Sequence, residues 1–236
     1  MNICVLGAGG WGTALAILLS NNKHRVSLWE FDKEYAHTLN ELRENFYFLP
    51  KVKIPASIKI TNNIHEAIKG KELIVVATPT QFIRNVIEHI SGISFTNKMI
   101  LSVSKGIEID SLMTVSQIFQ DVLRHVKKKN IAVLSGPSHA EEVARKIPTA
   151  VVAAAYDRKI AETIQHTFSN RYFRVYRSID VLGVELGGAL KNIIAIAAGI
   201  TDGAGFGDNT KAAIMTRGIR EITRLGVYLG AHESTF

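Results

Sequence analysis

Short apolar runs alternate with longer amphipathic stretches along the chain up to about residue 177. Aliphatic and β-branched runs bounded by turn residues predict buried parallel strands, and the periodic stretches between them predict helices. The predicted strands are 3–6, 25–29, 59–61, 73–77, 99–103, 131–134, 150–154 and 173–176. The predicted helices are 13–19, 33–46, 65–69, 82–90 and 114–126, with one more between the last two strands. This alternation predicts an α/β fold with a Rossmann-type, doubly wound, mostly parallel sheet.

The pattern changes near residue 178, after which no strand is predicted. Two long helices, 187–199 and 209–229, predict part of an all-α domain, so we divide the chain into 1–177 and 178–236. Their apolar surface needs more partners than the remaining residues supply. We therefore expect the helical domain to continue beyond Phe236, the alternative being a two-helix cap that packs back on the sheet.

A G-x-G-x-x-G loop joins the first predicted strand to the first helix. In this context Gly7 permits a tight turn, Gly9 lets the backbone approach a pyrophosphate, and Gly12 lets the helix pack close to the strand. The free N–H groups of the helix N-terminus favour phosphate. The loop therefore predicts dinucleotide binding, and an ordinary glycine-rich turn is the alternative. Two aromatic residues near predicted cofactor loops, Trp11 and Phe82, either contact the cofactor or belong to the core.

Glu30 follows the second predicted strand, 18 residues after Gly12. A carboxylate there accepts hydrogen bonds from a ribose 2′-hydroxyl and repels a 2′-phosphate, which favours NAD over NADP. The alternative is a solvated loop acid, since Asp32 lies two residues on. The neighbouring Phe31 either lies on the adenine face or packs under the sheet edge.

Two lysines are candidates for the chemistry. Lys105 follows a predicted strand, and ligands bind at the carboxyl ends of strands in doubly wound sheets. Its amine is therefore placed to bind a phosphate or carboxylate. The alternative is a surface lysine in a turn. Lys191 lies in an apolar helix on one stripe with Gly187, Ala195 and Ala198. Burial would lower its pKa towards the range of a general base. The alternatives are an amine that snorkels to the surface or pairs with a carboxylate.

The loop after the strand 131–134 reads Ser-Gly-Pro-Ser-His-Ala and opens a helix. Ser138 is predicted to cap that helix, with Glu141 completing a capping box. For His139, we favour a loop histidine without a catalytic task over a general base.

Composition restricts the class of protein further. The net charge of +7 favours anionic ligands, but no basic element with interleaved aromatics predicts nucleic-acid binding. No Cys/His spacing predicts a metal site. The one cysteine, Cys4, cannot form an internal disulfide and indicates a reducing compartment. The N-terminal residues belong to the first predicted strand and so do not form a signal peptide. We therefore expect a cytoplasmic protein. We expect no membrane span, because no apolar run approaches the ~20 residues needed to cross a bilayer.

Taken together, four later segments and the glycine loop resemble the bacterial-type NAD(P)-dependent glycerol-3-phosphate dehydrogenases. The matching stretches are G-A-G-G-W-G-T-A-L-A at 7–16, S-K-G-I-E at 104–108, L-S-G-P-S-H-A-E-E-V-A at 134–144, G-V-E-L-G-G-A-L-K-N-I-I-A-I-A-A-G-I at 183–200 and D-G-A-G-F-G-D-N-T-K-A-A-I-M-T-R-G at 202–218. The glycine loop is shared by many dehydrogenases, whereas the last three segments are specific to this family.

The resemblance implies reversible oxidation of sn-glycerol 3-phosphate to dihydroxyacetone phosphate, a small phosphorylated substrate, with a role in phospholipid synthesis. It makes Lys191 the catalytic lysine and Lys105 a contact to substrate and cofactor. It also implies a set of further positions, namely Gly136 and Ser138 for the substrate and Gly10, Trp11, Phe31 and Ala140 for the cofactor.

The chain departs from the family pattern in two ways. Family members continue for roughly another hundred helical residues that hold an Asp and a Ser-Arg-Asn stretch gripping the phosphate. Many relatives carry basic residues suited to NADP where this chain has Glu30 and Phe31. Two other functions stay open, a dinucleotide-binding module or fragment without turnover and a related hydroxy-acid dehydrogenase. A homodimer also stays open.

Overall fold

A computed structural model describes all residues from Met1 to Phe236. The strands are Asn2–Leu6 (β1), Arg25–Trp29 (β2), Glu44–Asn45 (β3), Leu49–Lys53 (β4), Lys59–Thr61 (β5), Leu73–Val76 (β6), Met99–Ser102 (β7), Ile131–Ser135 (β8), Thr149–Ala155 (β9) and Phe173–Ser178 (β10). The helices are Gly10–Asn21 (α1), Lys33–Leu42 (α2), Ile64–Ile68 (α3), Thr80–Glu88 (α4), Val115–Val122 (α5), Ala140–Ala144 (α6), Arg158–Phe168 (α7), Val181–Gly203 (α8) and Gly207–Tyr228 (α9). Two 3-10 helices span Lys128–Asn130 and Glu233–Thr235.

Eight strands form one sheet in the order β10-β9-β8-β7-β6-β1-β2-β5. The strands from β8 to β5 in that order run parallel, whereas β9 is antiparallel to β8 and parallel to β10. The prediction of a Rossmann-type, mostly parallel sheet followed by helices is therefore confirmed. Because all the parallel strands end at one edge, the loops that follow β1, β2, β6, β7 and β8 meet there.

Both faces of the sheet are covered by apolar clusters. Ile3 and Val5 point into a cluster of 31 buried residues, whereas Cys4 and Leu6 point into one of 20. Successive side chains of a strand alternate between faces, so a strand that is apolar throughout needs cover on both sides. Burial also raises the pKa of the Cys4 thiol to about 12.

The region after α2 differs from the prediction. Helix α2 was predicted to reach Phe46, but it ends after Leu42, and Arg43 adopts a left-handed conformation with φ 50°. Glu44 and Asn45 then pair with β4 as a small antiparallel hairpin. Side-chain hydrogen bonds of Asn45 to the glycine loop stabilise this turn, and helical periodicity carries no signal for such a contact.

Helix α8 begins at Val181, six residues before the predicted start at Gly187, and its first part packs against β8 and β9. By length and composition it is apolar enough to cross a membrane, with a mean hydropathy of 1.6 over a stretch that is 28% buried. The expectation that no apolar run reaches that length is therefore wrong. Its later part leaves several aliphatic side chains exposed, namely Ile193, Ile196 and Ile200.

Candidate active site

The glycine loop links β1 to α1 at the carboxyl edge of the sheet. Gly7 has φ 109°, a conformation that L side chains rarely adopt, and a Cβ there would lie 3.0 Å from the Ala77 carbonyl oxygen. A Cβ on Gly12 would overlap the carbonyl oxygen of Gly7, whereas one on Gly9 would meet nothing within 4 Å. The backbone therefore requires glycine at positions 7 and 12, and the space beside Gly9 is open.

Asn45 joins the hairpin to the glycine loop, and sequence analysis missed it. Its fully buried amide donates to the Ala8 carbonyl oxygen and to Thr13 Oγ1, both at 2.7 Å. Its Oδ1 accepts from Tyr35 Oη at 2.6 Å and from the Phe48 backbone N–H at 3.1 Å. These four hydrogen bonds satisfy the amide and hold the two loops together. The only sequence signal was a polar residue directly before three aromatic residues.

Glu30 directly follows β2, as predicted. Burial raises the pKa of its carboxyl, and hydrogen bonds from backbone N–H groups, including that of Asp32, oppose this rise. An open cleft of about 460 Å³ lies beside it. The cleft is lined by acidic and aromatic side chains, namely Glu30, Asp32, Glu34, Tyr35, Phe46, Tyr47 and Phe48, with Thr38.

The structure decides between the alternatives for three aromatic residues. Phe31 is 77% exposed, so the alternative in which it packs under the sheet edge is wrong. Phe82, in the first turn of α4, is 61% exposed and does not belong to the core. The Trp11 indole, in contrast, packs on the core with its ring 6.4 Å from that of Phe173.

Lys105 and Lys191 meet on the loop that follows β8. Lys105 Nζ donates to Ser138 Oγ at 2.8 Å, and Lys191 Nζ donates to the Gly136 carbonyl oxygen at 2.7 Å. Neither alternative for Lys191, an amine in solvent or one paired with a carboxylate, matches this contact. Gly136 has φ 150°, and a Cβ there would lie 3.0 Å from Val151 Cα, so a glycine is needed in this loop.

The pKa values of both amines are lowered. Burial, reinforced by the neighbouring charge of Lys191, lowers the pKa of Lys105 from 10.5 to about 8. Burial also lowers the pKa of Lys191, and its interaction with the neighbouring Lys105 amine opposes this. Because two adjacent ammonium groups repel each other, the pair loses its first proton at a lower pH than an isolated lysine. One neutral amine thus becomes available beside one cation.

The predicted helix cap after this loop is wrong. His139, not Ser138, is the N-cap residue of α6, and it makes no side-chain cap. The Ser138 hydroxyl instead accepts from Lys105 and lies 3.2 Å from the Gly136 carbonyl oxygen. His139 is exposed and pairs with Glu141 at 2.7 Å, in keeping with a loop histidine.

Helix α4 braces the loop that carries Lys105. Arg84 donates to both carboxylate oxygens of Glu108, at 3.0 Å from Nε and 2.8 Å from Nη2. Gln81 donates to the Ile107 carbonyl oxygen at 2.9 Å and accepts from the Ile109 N–H at 3.0 Å. The backbone of this loop is therefore fixed on both sides of Glu108.

The cofactor loop and the lysine loop are neighbours. A Cβ on Gly10 would lie 3.7 Å from Ala140 Cβ, at the first residue of α6. The glycine loop and the start of α6, which follows the Gly136 loop, therefore lie side by side. A separate cavity of about 710 Å³, between α7, β10 and the last 3-10 helix, contains neither lysine.

A doubly wound sheet with this glycine loop, an acidic residue after β2 and two lysines at the same edge defines a dinucleotide-dependent dehydrogenase. Sequence models of the NAD-dependent glycerol-3-phosphate dehydrogenase N-terminus and C-terminus match residues 2–161 and 180–236. The chain belongs to the NAD-dependent glycerol-3-phosphate dehydrogenase family.

Bacterial relatives and a solved structure support this assignment. Glycerol-3-phosphate dehydrogenase [NAD(P)+] of Fusobacterium nucleatum is 49% identical over 236 residues, which are all of this chain and 70% of the relative. The Bacillus subtilis protein of the same name is 49% identical, with 99% of this chain and 68% of the relative covered. The crystal structure of glycerol-3-phosphate dehydrogenase from Coxiella burnetii superimposes with a TM-score of 0.93 at 33% identity, covering 99% and 71% of the two chains.

Proposed function

We propose that the chain catalyses the reversible oxidation of sn-glycerol 3-phosphate to dihydroxyacetone phosphate with NAD or NADP. One observation carries this proposal: the amines of Lys105 and Lys191 meet on a single loop beside the glycine loop. The activity named for the bacterial relatives supports the substrate.

Lys191 exchanges the proton of the reaction. A bound nicotinamide supplies the hydride acceptor at its C4. As the C2 hydrogen leaves the substrate with its electron pair, the neutral amine of Lys191 accepts the proton of the C2 hydroxyl, and the C2–O bond becomes a carbonyl. In the reverse direction Lys191 returns that proton to the carbonyl oxygen. The lowered pKa values of the pair support this role, because loss of the pair's first proton leaves one of the two neighbouring amines neutral.

Lys105 contacts substrate and cofactor, and its cationic form attracts the phosphorylated substrate. Gly136 and Ser138 form the substrate loop on which both amines rest. The groups proposed to bind the cofactor follow the carboxyl edge from β1 to β8, namely Gly7, Gly9, Gly10, Trp11, Gly12, Glu30, Phe31, Phe82, Lys105 and Ala140.

The position of Glu30 favours NAD over NADP. A carboxylate at the end of β2 accepts hydrogen bonds from a ribose diol, whereas a 2′-phosphate would meet the negative charges of Glu30 and Asp32. These two residues line one cleft, which supports a repulsive field at that site.

Further observations support the wider assignments of domain division, compartment and metabolic role. The ranges of the two family matches support a nucleotide domain over 1–177 and part of a helical domain over 178–236. The buried, unpaired Cys4 supports a reducing, cytoplasmic compartment. The proposed product, glycerol 3-phosphate, suits a supply role in phospholipid synthesis, and a homodimer is the assembly we would test first.

Oxidation of NADH in the presence of dihydroxyacetone phosphate tests the function directly. The proposal predicts loss of absorbance at 340 nm only when both compounds are present. NADH binding without turnover would overturn it in favour of a dinucleotide-binding module. Turnover of a 2-keto acid but not of dihydroxyacetone phosphate would indicate a hydroxy-acid dehydrogenase.

A further inference from the structure

Glu185 lies on α8, six residues before Lys191, and its carboxylate binds the N-terminus of α5. It accepts from Thr114 Oγ1 at 2.8 Å, from the Ser116 backbone N–H at 2.7 Å and from Ser116 Oγ at 2.6 Å. The helix N-terminus and these three donors stabilise the carboxylate, although burial raises its pKa. Glu185 thus acts as a cap supplied by a different helix.

The segment that Glu185 holds is the far end of the Lys105 loop. Lys105 follows β7, and an isolated bridge pairs Ile107 with Thr114, so the chain between them forms a closed loop. Thr114 is both the last residue of this loop and a direct donor to Glu185. One carboxylate therefore connects the loop that carries Lys105 to the helix that carries Lys191.

A second contact on the same face of α8 limits its movement. Gly188, three residues after Glu185, packs against β8 so closely that a Cβ on it would overlap Ser135 Oγ. Because an α-helix rises 1.5 Å per residue, a slide of one turn would move Lys191 by about 5.4 Å and break all three hydrogen bonds to Glu185. The two contacts together fix the position of α8 along its axis.

We propose that Glu185 is a positioning residue that holds Lys191 in place relative to Lys105 and the Gly136 loop. This inference rests on the proposed role of Lys191. Glu185 itself lies away from the reacting atoms and acts through the two elements that it joins.

The test compares two substitutions of Glu185. Glu185→Leu keeps the approximate volume and removes every acceptor, so we expect kcat to fall at least tenfold while the Kd for NADH changes less than twofold. Glu185→Gln keeps an acceptor for Ser116 N–H, and the two hydroxyls can turn to accept from its amide, so we expect it to retain kcat within about threefold. Glu221→Gln, at an exposed carboxylate paired with Arg224, is the control and should leave kcat unchanged.

A double-mutant cycle separates positioning from general damage to the fold. If Glu185 acts through Lys191, adding Glu185→Leu to Lys191→Ala should lower kcat less than twofold further. The inference would be overturned if the fold-loss in kcat of the double variant equals the product of the losses in the two single variants. It would also be overturned if the kcat of Glu185→Leu lies within twofold of the wild type. Should Glu185→Leu fail to fold, Thr114→Val removes one of the three donors and should lower kcat about threefold; no change in kcat would count against the inference.

An acylation experiment tests the inference without turnover. Mass spectrometry after brief treatment with acetic anhydride gives the relative reactivity of Lys191 against the exposed Lys159 of α7. We expect Glu185→Leu to change that ratio at least threefold, and an unchanged ratio would overturn the inference. A wild-type chain that fails to reduce dihydroxyacetone phosphate would overturn the proposed function while this labelling ratio still tests the role of Glu185.

Discussion

Lys105 and Lys191 lie on different elements, yet their amines bind residues only two positions apart, Ser138 and Gly136. Both are partly buried, and the structure places no carboxylate against either amine. Because the two amines lie close together, loss of one proton relieves the repulsion between two cations. Deprotonation of one amine therefore requires less free energy here than at an isolated lysine. The arrangement therefore offers a base and a cation to the same substrate.

This pairing predicts a dependence of stability on pH. The pKa of Lys105 is about 8 in the folded chain and 10.5 when unperturbed, so between these values the unfolded state binds more protons. The free energy of unfolding should therefore gain a stabilising contribution as pH rises from about 8 to 10.5. The Tm of the wild type minus that of Lys105→Met should increase over this range. A difference that is flat or decreases would contradict the lowered pKa.

Asn45 should matter for both stability and cofactor binding. Asn45→Ala leaves buried partners at Ala8, Thr13 and Tyr35 without their hydrogen bonds, which costs about 2–4 kcal/mol. Since it also frees the glycine loop, we expect the KM for NADH to rise at least fivefold with a smaller change in kcat. Thermal denaturation and steady-state kinetics measure the two effects, with the exposed Asn85→Ala as a control. Equal behaviour of the two variants would show that the hairpin does not hold the loop.

Glu30 should set the choice between the two nicotinamide cofactors. Glu30→Ala removes the charge that opposes a 2′-phosphate and one acceptor for the ribose diol, so the ratio of kcat/KM for NADH over NADPH should fall at least tenfold. Glu41→Ala, at the exposed end of α2, is the matched control. The proposed preference fails if the wild type uses NADPH better than NADH, or if Glu30→Ala leaves the ratio unchanged.

Gly106 should be intolerant of a side chain. It follows Lys105 with φ 146°, and a Cβ would lie 2.7 Å from Thr80 Oγ1. We expect Gly106→Ala to displace the Lys105 backbone and lower kcat/KM for dihydroxyacetone phosphate at least tenfold. Gly92→Ala, where a Cβ would meet nothing within 4 Å, should have little effect. Comparable activities of these two variants would indicate that the Lys105 loop adapts.

The parts of the fold that could be predicted are those with local causes. The strand, glycine loop and helix from Asn2 to Asn21 follow from a short apolar run, backbone freedom and an apolar helix, all within one stretch of sequence. The two lysines could be found because a strand end and an apolar helix are unusual surroundings for an amine. Their meeting on one loop, however, depends on sheet order.

The features that were missed have long-range causes. Asn45 lies 32 residues from one of its partners, Thr13, and Glu185 lies 69 residues from Ser116. The reversal of β9 relative to β8 similarly leaves no mark on strand composition. At Ser138 a feature was predicted that the structure does not contain. The local sequence predicts a helix cap, but the Ser138 hydroxyl accepts a hydrogen bond from Lys105 instead. Tertiary contacts decided each of these cases.

The most direct test of the account is the turnover number of Lys191→Ala with dihydroxyacetone phosphate and NADH. Loss of the proton-exchanging amine should lower kcat at least ~10²-fold, the scale of general acid–base catalysis, while the Kd for NADH changes less than about twofold. A kcat close to that of the wild type would remove Lys191 from the mechanism.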